Sequence, residues 1–344
     1  MWRLIFTGVT LIAAPCLVIA EPVFLQHRVA DPLNLLAAIP AFSSPSTGPF
    51  EFQAAVSHVN VFAGGIASGS AGDEILLLDG EVTELELRGQ VALSSCFSAA
   101  FDSRIISHSG GVFDSAIDQW HDTFGLPNAG RDEAPSNELA YGFSNMGGFD
   151  PAVSDFSTSQ TLLTSTSTAL GDVWLSLQRS IRCDPGASSK QSPTSGHVRV
   201  GVKLPVGDTE RWASGGQAAL FVDWHSLPHT IGKRARISTT LGGSYSDEWD
   251  ERFAALAPRR LLGYGAVVFD YRWNSSLQSV VQLDFRSPAF DSELTELGRW
   301  GGQLHIGLRA AITRHHRFEV SFSEDIVVDT APDIGGRFSY TYLP

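Results

Sequence analysis

The sequence predicts an all-β fold: a transmembrane antiparallel β-barrel of about 12–14 strands with one short amphipathic helix in a loop. Three observations carry this. An apolar leader opens the chain, most of the remaining sequence alternates with a period of two, and an aromatic strand closes it.

The leader is residues 1–20. Arg3 supplies the positive charge, Leu4 to Ala20 is apolar apart from Thr7, Thr10, Gly8 and Pro15, and Val18-Ile19-Ala20 suits a signal-peptide cleavage site. The expected mature chain begins at Glu21. Cys16 makes a poor lipoprotein acceptor because Pro15 precedes it. No other stretch reaches the roughly eighteen apolar residues of a spanning helix, so a membrane protein of this sequence must cross as a closed barrel.

Residues 21–49 read as an irregular lead containing Pro and Ser, and 50–344 as the barrel. The clearest hairpin runs from Leu261 to Phe285. Leu261, Gly263, Gly265, Val267, Phe269, Tyr271 and Trp273 share one face, and Asp270 and Arg272 lie on the other. After an Asn274-Ser275 turn, Leu277, Val281, Leu283 and Phe285 oppose Gln278, Gln282, Asp284 and Arg286. Successive strand side chains point to opposite faces, so this hairpin has one apolar and one charged side.

Earlier strands are expected at Phe50–Phe62, Ile75–Arg88 and Val91–Ile106, with Arg88-Gly89-Gln90 as a tight turn. The third puts Cys96 on the polar face; in an oxidising compartment Cys96 and Cys183 could pair. Later strands alternate at Val198–Leu204, Leu304–Ile312 and Phe318–Phe322. A soluble sandwich would also alternate. Charges of both signs on nearly every second face favour a watery lumen. The lumen-lining residues expected from this are Arg199, Lys203, Asp270, Arg272, Asp284, Arg309 and Glu319.

Connectors alternate between tight turns and longer loops at 63–74, 107–136, 243–259, 287–299 and 327–335, as in barrels with one short rim and one long rim. About thirteen strands are recognisable. A barrel with both termini on one rim needs an even number, so one more (within 157–167) or one fewer is expected. Gly336, Phe338, Tyr340 and Tyr342 form the terminal strand, similar to the signal read by the barrel-insertion machinery of Gram-negative outer membranes, although Leu343-Pro344 follow the last aromatic. That machinery and outer-membrane lipid are the expected partners. Without the leader's Arg3 the chain keeps 23 basic against 37 acidic residues, a net of −14, which argues against nucleic acid.

The loop 109–131 breaks the period. Phe113, Ile117, Trp120 and Phe124 form one helical stripe, stopped by Gly125-Leu126-Pro127. The opposite arc carries Asp114, Asp118, His121 and Asp122, with Arg131 just beyond. Two readings of the arc stand side by side: a site for a divalent cation or a cationic small-molecule ligand, or a solvated helix face. The stripe is expected to pack on the barrel and the aspartates to stay wet.

The run Ser109-Gly110-Gly111, Asp114, Ile117, His121, Phe124-Gly125-Leu126-Pro127 and Arg131 resembles a family of uncharacterised Gram-negative outer-membrane proteins carrying a "domain of unknown function" label. Gly171-Asp172, Lys203-Leu204-Pro205-Val206-Gly207-Asp208 and Phe322-Ser323-Glu324-Asp325-Ile326 look like the same family. The resemblance implies an outer-membrane barrel with no activity to carry over.

Phosphate-cradling loops, a His-Glu-x-x-His helix and a Gly-x-Ser-x-Gly elbow are absent from the sequence, and no cofactor is expected. None of the ten histidines has Ser two residues later, the step that barrel lipases resemble one another in. The expected function is a channel for small solutes or apolar molecules, gated by loop 109–131. The alternatives are a structural or surface-interaction barrel with a closed lumen and, third, a barrel hydrolase.

Overall fold

The computed structural model describes residues 24–344 except 27, 29–30, 44–47, 70–71, 112, 114, 116–118, 120–122, 124, 126–136, 145–160, 182–195, 328–329, 331 and 333. The leader therefore lies outside the described residues.

Sixteen strands are found among the described residues, and twelve of them close a ring. In chain order these are β1 (Phe50–Gly69), β2 (Gly72–Ala92), β3 (Phe97–Ser109), β7 (Val173–Ser180), β8 (His197–Leu204), β9 (Ala219–His225), β11 (Ala235–Ser246), β12 (Leu261–Arg272), β13 (Leu277–Arg286), β14 (Gly301–Ala311), β15 (His316–Asp325) and β16 (Ile334–Tyr342). Every neighbouring pair is antiparallel, and β1 against β16 closes the ring, from Phe52 opposite Tyr342 to Asn60 opposite Ile334. Four short strands lie off it: β4 (Ala140–Ser144), β5 (Thr161–Leu163), β6 (Ser167–Leu170) and β10 (His229–Ile231). The twelve-stranded ring meets the even-number requirement with one strand fewer than the sequence count.

The alternation holds around the ring. Val56, Phe101, Leu177, Val222, Val267, Phe269, Ile306, Val320 and Phe338 are exposed on the outside, whereas Asp102, Arg199, Asp223, Asp270, Gln282, Arg309 and Arg337 are buried inside. An apolar exterior around a polar interior is what lipid demands of a barrel. Tyr342 and Trp273 stand exposed near the short-turn rim, and Trp300 and Tyr245 near the other.

Three expectations near the N-terminus need correction. Arg88-Gly89-Gln90 is not a turn, because β2 runs on to Ala92 and the turn falls at 93–96. Gly89 is a strand position opposite Phe101; a Cβ there would sit 2.2 Å from the Phe101 ring. Residues 63–74 are mostly strand, since β1 and β2 pair as far as Gly69 opposite Gly72. Beyond the ring this ribbon takes on β4 and β5, placing Leu76, Leu78, Tyr141 and Phe143 in the core. The lead is not a simple irregular approach to the barrel either. Residues 24–26, 28 and 31–43 are buried, and they include a short helix α1 (Pro32–Leu36) with Asp31 as N-cap.

Gly201 fills a steric requirement on β8. A Cβ there would lie 2.4 Å from the Leu175 carbonyl oxygen and from the Phe221 ring. Overpacking of this kind costs about 1–3 kcal/mol. Gly201→Ala is therefore expected to lower the urea midpoint of the detergent-solubilised barrel, and an unchanged midpoint would show that both the Leu175 backbone and the Phe221 ring give way without cost.

Candidate functional site

The lumen is built by the inward face of each strand, and its charges are paired. Arg309 Nε donates to Glu319 Oε2 at 2.9 Å, and the Arg337 guanidinium reaches Glu319 and Glu86 at 3.3 Å each. Arg199 Nε meets both Asp223 oxygens at 3.1 Å, and Arg236 Nε lies 2.9 Å from Asp270 Oδ1. Arg104 reaches Glu84 at 2.7 Å, and Lys203 Nζ lies 2.7 Å from Asp172 Oδ2 with both side chains fully buried. His305 Nε2 is 3.0 Å from Asp284. Buried charges are tolerated when paired in this way.

Six of the seven expected lumen-lining residues are buried in the interior; Arg272 is half-buried at the short-turn rim. What the strand pattern did not reveal is that the N-terminal segment fills the space between them. Among the described residues Phe24, Leu25, Leu33, Leu35, Leu36, Ile39 and Phe42 are at most 9% exposed. Each such side chain contributes about 1.5–3 kcal/mol on burial.

The path of the segment can be followed through its contacts. Near the short-turn rim the Phe24 carbonyl accepts from Arg309 Nη2 at 3.1 Å. Leu25 is read at two points by Gln282, whose Oε1 accepts the Leu25 N–H at 2.9 Å and whose Nε2 donates to the Leu25 carbonyl at 3.2 Å. Arg28 lies beside Asp102. At the top, Asp31 caps α1 by accepting from Leu33 and Asn34 N–H, 3.7 Å from the Arg286 guanidinium. The Leu36 carbonyl accepts from Gln217 Nε2 at 2.6 Å. The chain then descends: Arg199 Nη1 donates to the Ala41 carbonyl at 2.9 Å, Arg88 Nη1 to Phe42 at 3.3 Å, and Gln178 Nε2 to Ser43 Oγ at 3.3 Å. The segment is thus a hairpin that rises from the short-turn rim to the long-loop rim and returns.

The long loops close over its apex. Trp212, Ala213, Ser214 and Gln217 from 205–218, Phe253 and Leu256 from the 3-10 turn Glu251–Leu256, and Phe290 and Leu297 from 287–299 are all buried. Cavities beside the segment hold only about 20–30 Å³, room for a water or two. Burial raises the Asp31 carboxyl above its ordinary value against the pull of Arg286.

The sequence motifs meet here. Gly207 N–H donates to Asp172 Oδ1 at 3.1 Å, so Gly171-Asp172 and Lys203–Asp208 form one unit, and Lys203 Nζ also donates to Gln217 Oε1 at 2.9 Å. The unit thereby reaches the plug through Gln217. Asp114, Asp118, His121, Asp122 and Arg131 lie outside the described residues. Of the helical stripe only Phe113 is described: it is 49% exposed, its ring edge-on to His58 at 5.2 Å, while its N–H donates to Glu81 Oε1 at 2.9 Å. Cys96 is disulfide-bonded, with its partner outside the described residues. Thr240, His225 and Asp223 do form a hydroxyl–imidazole–carboxylate chain, at 2.5 and 2.9 Å, but all three are at most 1% exposed and Phe24 sits edge-on to His225. Its place is a wall network under the plug.

A family model described as "Protein of unknown function (DUF3187)" matches residues 21–343. The chain belongs to this family. No curated protein matches the DUF3187 chain by sequence. Among solved structures it is similar to the COG4313 outer membrane channel from Pseudomonas putida F1, with 10% identity and a TM-score of 0.53 over 89% of this chain and 97% of that one. The NanC porin aligns at 9% identity and a TM-score of 0.42 over 86% and 99% of the two chains. The P. putida toluene transporter TodX aligns at 9% identity and a TM-score of 0.38 over 92% and 93%. The DUF3187 chain thus has the fold of an outer-membrane β-barrel.

Proposed function

We propose that this DUF3187 protein is an outer-membrane channel for small solutes, held closed by its own N-terminal segment. One observation carries the reading: the space inside the ring is occupied by a hairpin of chain, the described residues of 24–43, whose two ends both lie near the short-turn rim. An interior filled by wall side chains alone has no removable part. This one does, and at twelve strands the emptied ring is wider than an eight-stranded barrel packed by side chains. The outer-membrane channel from P. putida with the same fold supports the same reading.

Loop 109–131 acts in this reading as a second element at the long-loop mouth, seated through Phe113 on β1 and β2. Planar-bilayer recording separates the roles. The full chain should pass little current, deletion of 24–43 should give a steady conductance, and deletion of 109–131 should alter gating only. A folded barrel that stays silent without 24–43 would overturn the channel reading in favour of a closed, structural barrel.

A further inference from the structure

Inside the lumen the Arg28 guanidinium lies 4.6 Å from the centroid of the Trp174 ring, with Nη2 3.4 Å from Asp102 Oδ1. Phe221 meets Trp174 edge-on at 5.7 Å and itself carries Arg199 at 4.9 Å, so the cradle is aromatic on one side and anionic on the other. Cations are held by such pairs of ring face and carboxylate.

The fit of Arg28 is incomplete. Its Nε and Nη1 are buried without a hydrogen-bond partner, and so is Trp174 Nε1. Asp102 gives its shorter contacts to Arg88, at 2.8 and 3.3 Å. A buried cation with unpaired N–H groups is held less firmly than its contacts suggest. Over the barrel interior as a whole, among the described residues, the buried carboxylates from Glu51 to Glu319 number eleven, against eight buried Arg and Lys.

We propose that this cradle is a cation-binding station of the conducting path, taking the guanidinium or ammonium group of a small solute, and that Arg28 is its built-in occupant while the channel is closed. The inference rests on the channel reading above and names the solute class it serves. The solute binds the Trp174–Asp102 cradle only when the plug has left it, so it stabilises the released state by mass action. At about ten times its dissociation constant, such a ligand multiplies the released population about tenfold. An oxygen acceptor next to the cation would also take the free Trp174 N–H.

The test uses full-length protein and two probes of similar shape, ethylguanidinium and neutral ethylurea. In planar bilayers, millimolar ethylguanidinium should raise the open fraction of the wild type about tenfold, and ethylurea should leave it unchanged. Trp174→Phe should keep the response and Trp174→Leu should lose it. In detergent, calorimetry should show that Arg28→Ala binds ethylguanidinium in preference to ethylurea, a readout independent of conduction. Equal responses to the two probes, or binding by Arg28→Ala with no effect on the wild type, would overturn the station and leave the channel standing. Selective binding in detergent with no current from any variant, the 24–43 deletion included, would sink the channel and with it the station's role in conduction, leaving only a cation site.

Discussion

Replacing Lys203 by methionine is expected to destabilise the barrel by about 3–5 kcal/mol, the cost of stranding one partner of a buried ion pair. Lys203 Nζ and Asp172 Oδ2 are 2.7 Å apart, and neither side chain reaches solvent. Asp172→Leu added to Lys203→Met should recover most of that loss, because two apolar side chains replace two desolvated charges. Recovery stays incomplete because Asp172 also accepts the Gly207 N–H. The effect should reach the plug as well: Lys203 donates to Gln217, and Gln217 holds the Leu36 carbonyl. Urea midpoints followed by tryptophan fluorescence compare the wild type with the single and the double variant. A single variant as stable as the wild type would mean that water already solvates the pair.

Leu36→Asp should drive the plug out of the lumen while leaving the barrel intact. Leu36 is fully buried at the apex. The change forfeits about 1.5–3 kcal/mol of apolar burial and adds the several kcal/mol of a desolvated carboxylate. The chain supplies its own reporter, since trypsin cuts after Arg28 and Arg28 is buried while the hairpin is docked. Proteolysis of an opening segment follows the population of the open form, each 1.4 kcal/mol changing it about tenfold. Cleavage at Arg28 should therefore accelerate by well over tenfold, alongside a rise in bilayer conductance. Cleavage at the wild-type rate would show that 24–43 does not open as a unit.

Much of the barrel was legible in the sequence, residue by residue. Val267 and Phe269 outside against Asp270 inside is a local consequence of strand geometry and needs no partner to be read. The same holds for Phe338 and Tyr342 and for the inward Arg199, Lys203, Arg309 and Glu319. Signals for the plug were present too. Leu262, Tyr264, Ala266 and Val268 give β12 a second apolar face over its upper half, and Leu33, Leu35, Leu36, Ile39 and Phe42 give the lead an apolar run with nothing of its own to bury it. Each needs the other to be explained.

The inside and outside faces of the strands and the apolar belt were determined by the sequence by itself, because alternation is written into neighbouring residues. The tertiary structure alone decided what fills the ring. Pairing Arg309 with Phe24, Gln217 with Leu36 and Arg28 with Trp174 joins residues far apart along the chain, and these contacts exist only once β1 meets β16 and encloses a space for the hairpin. Periodicity carries no information about that space, which belongs to the closed ring and to no single strand.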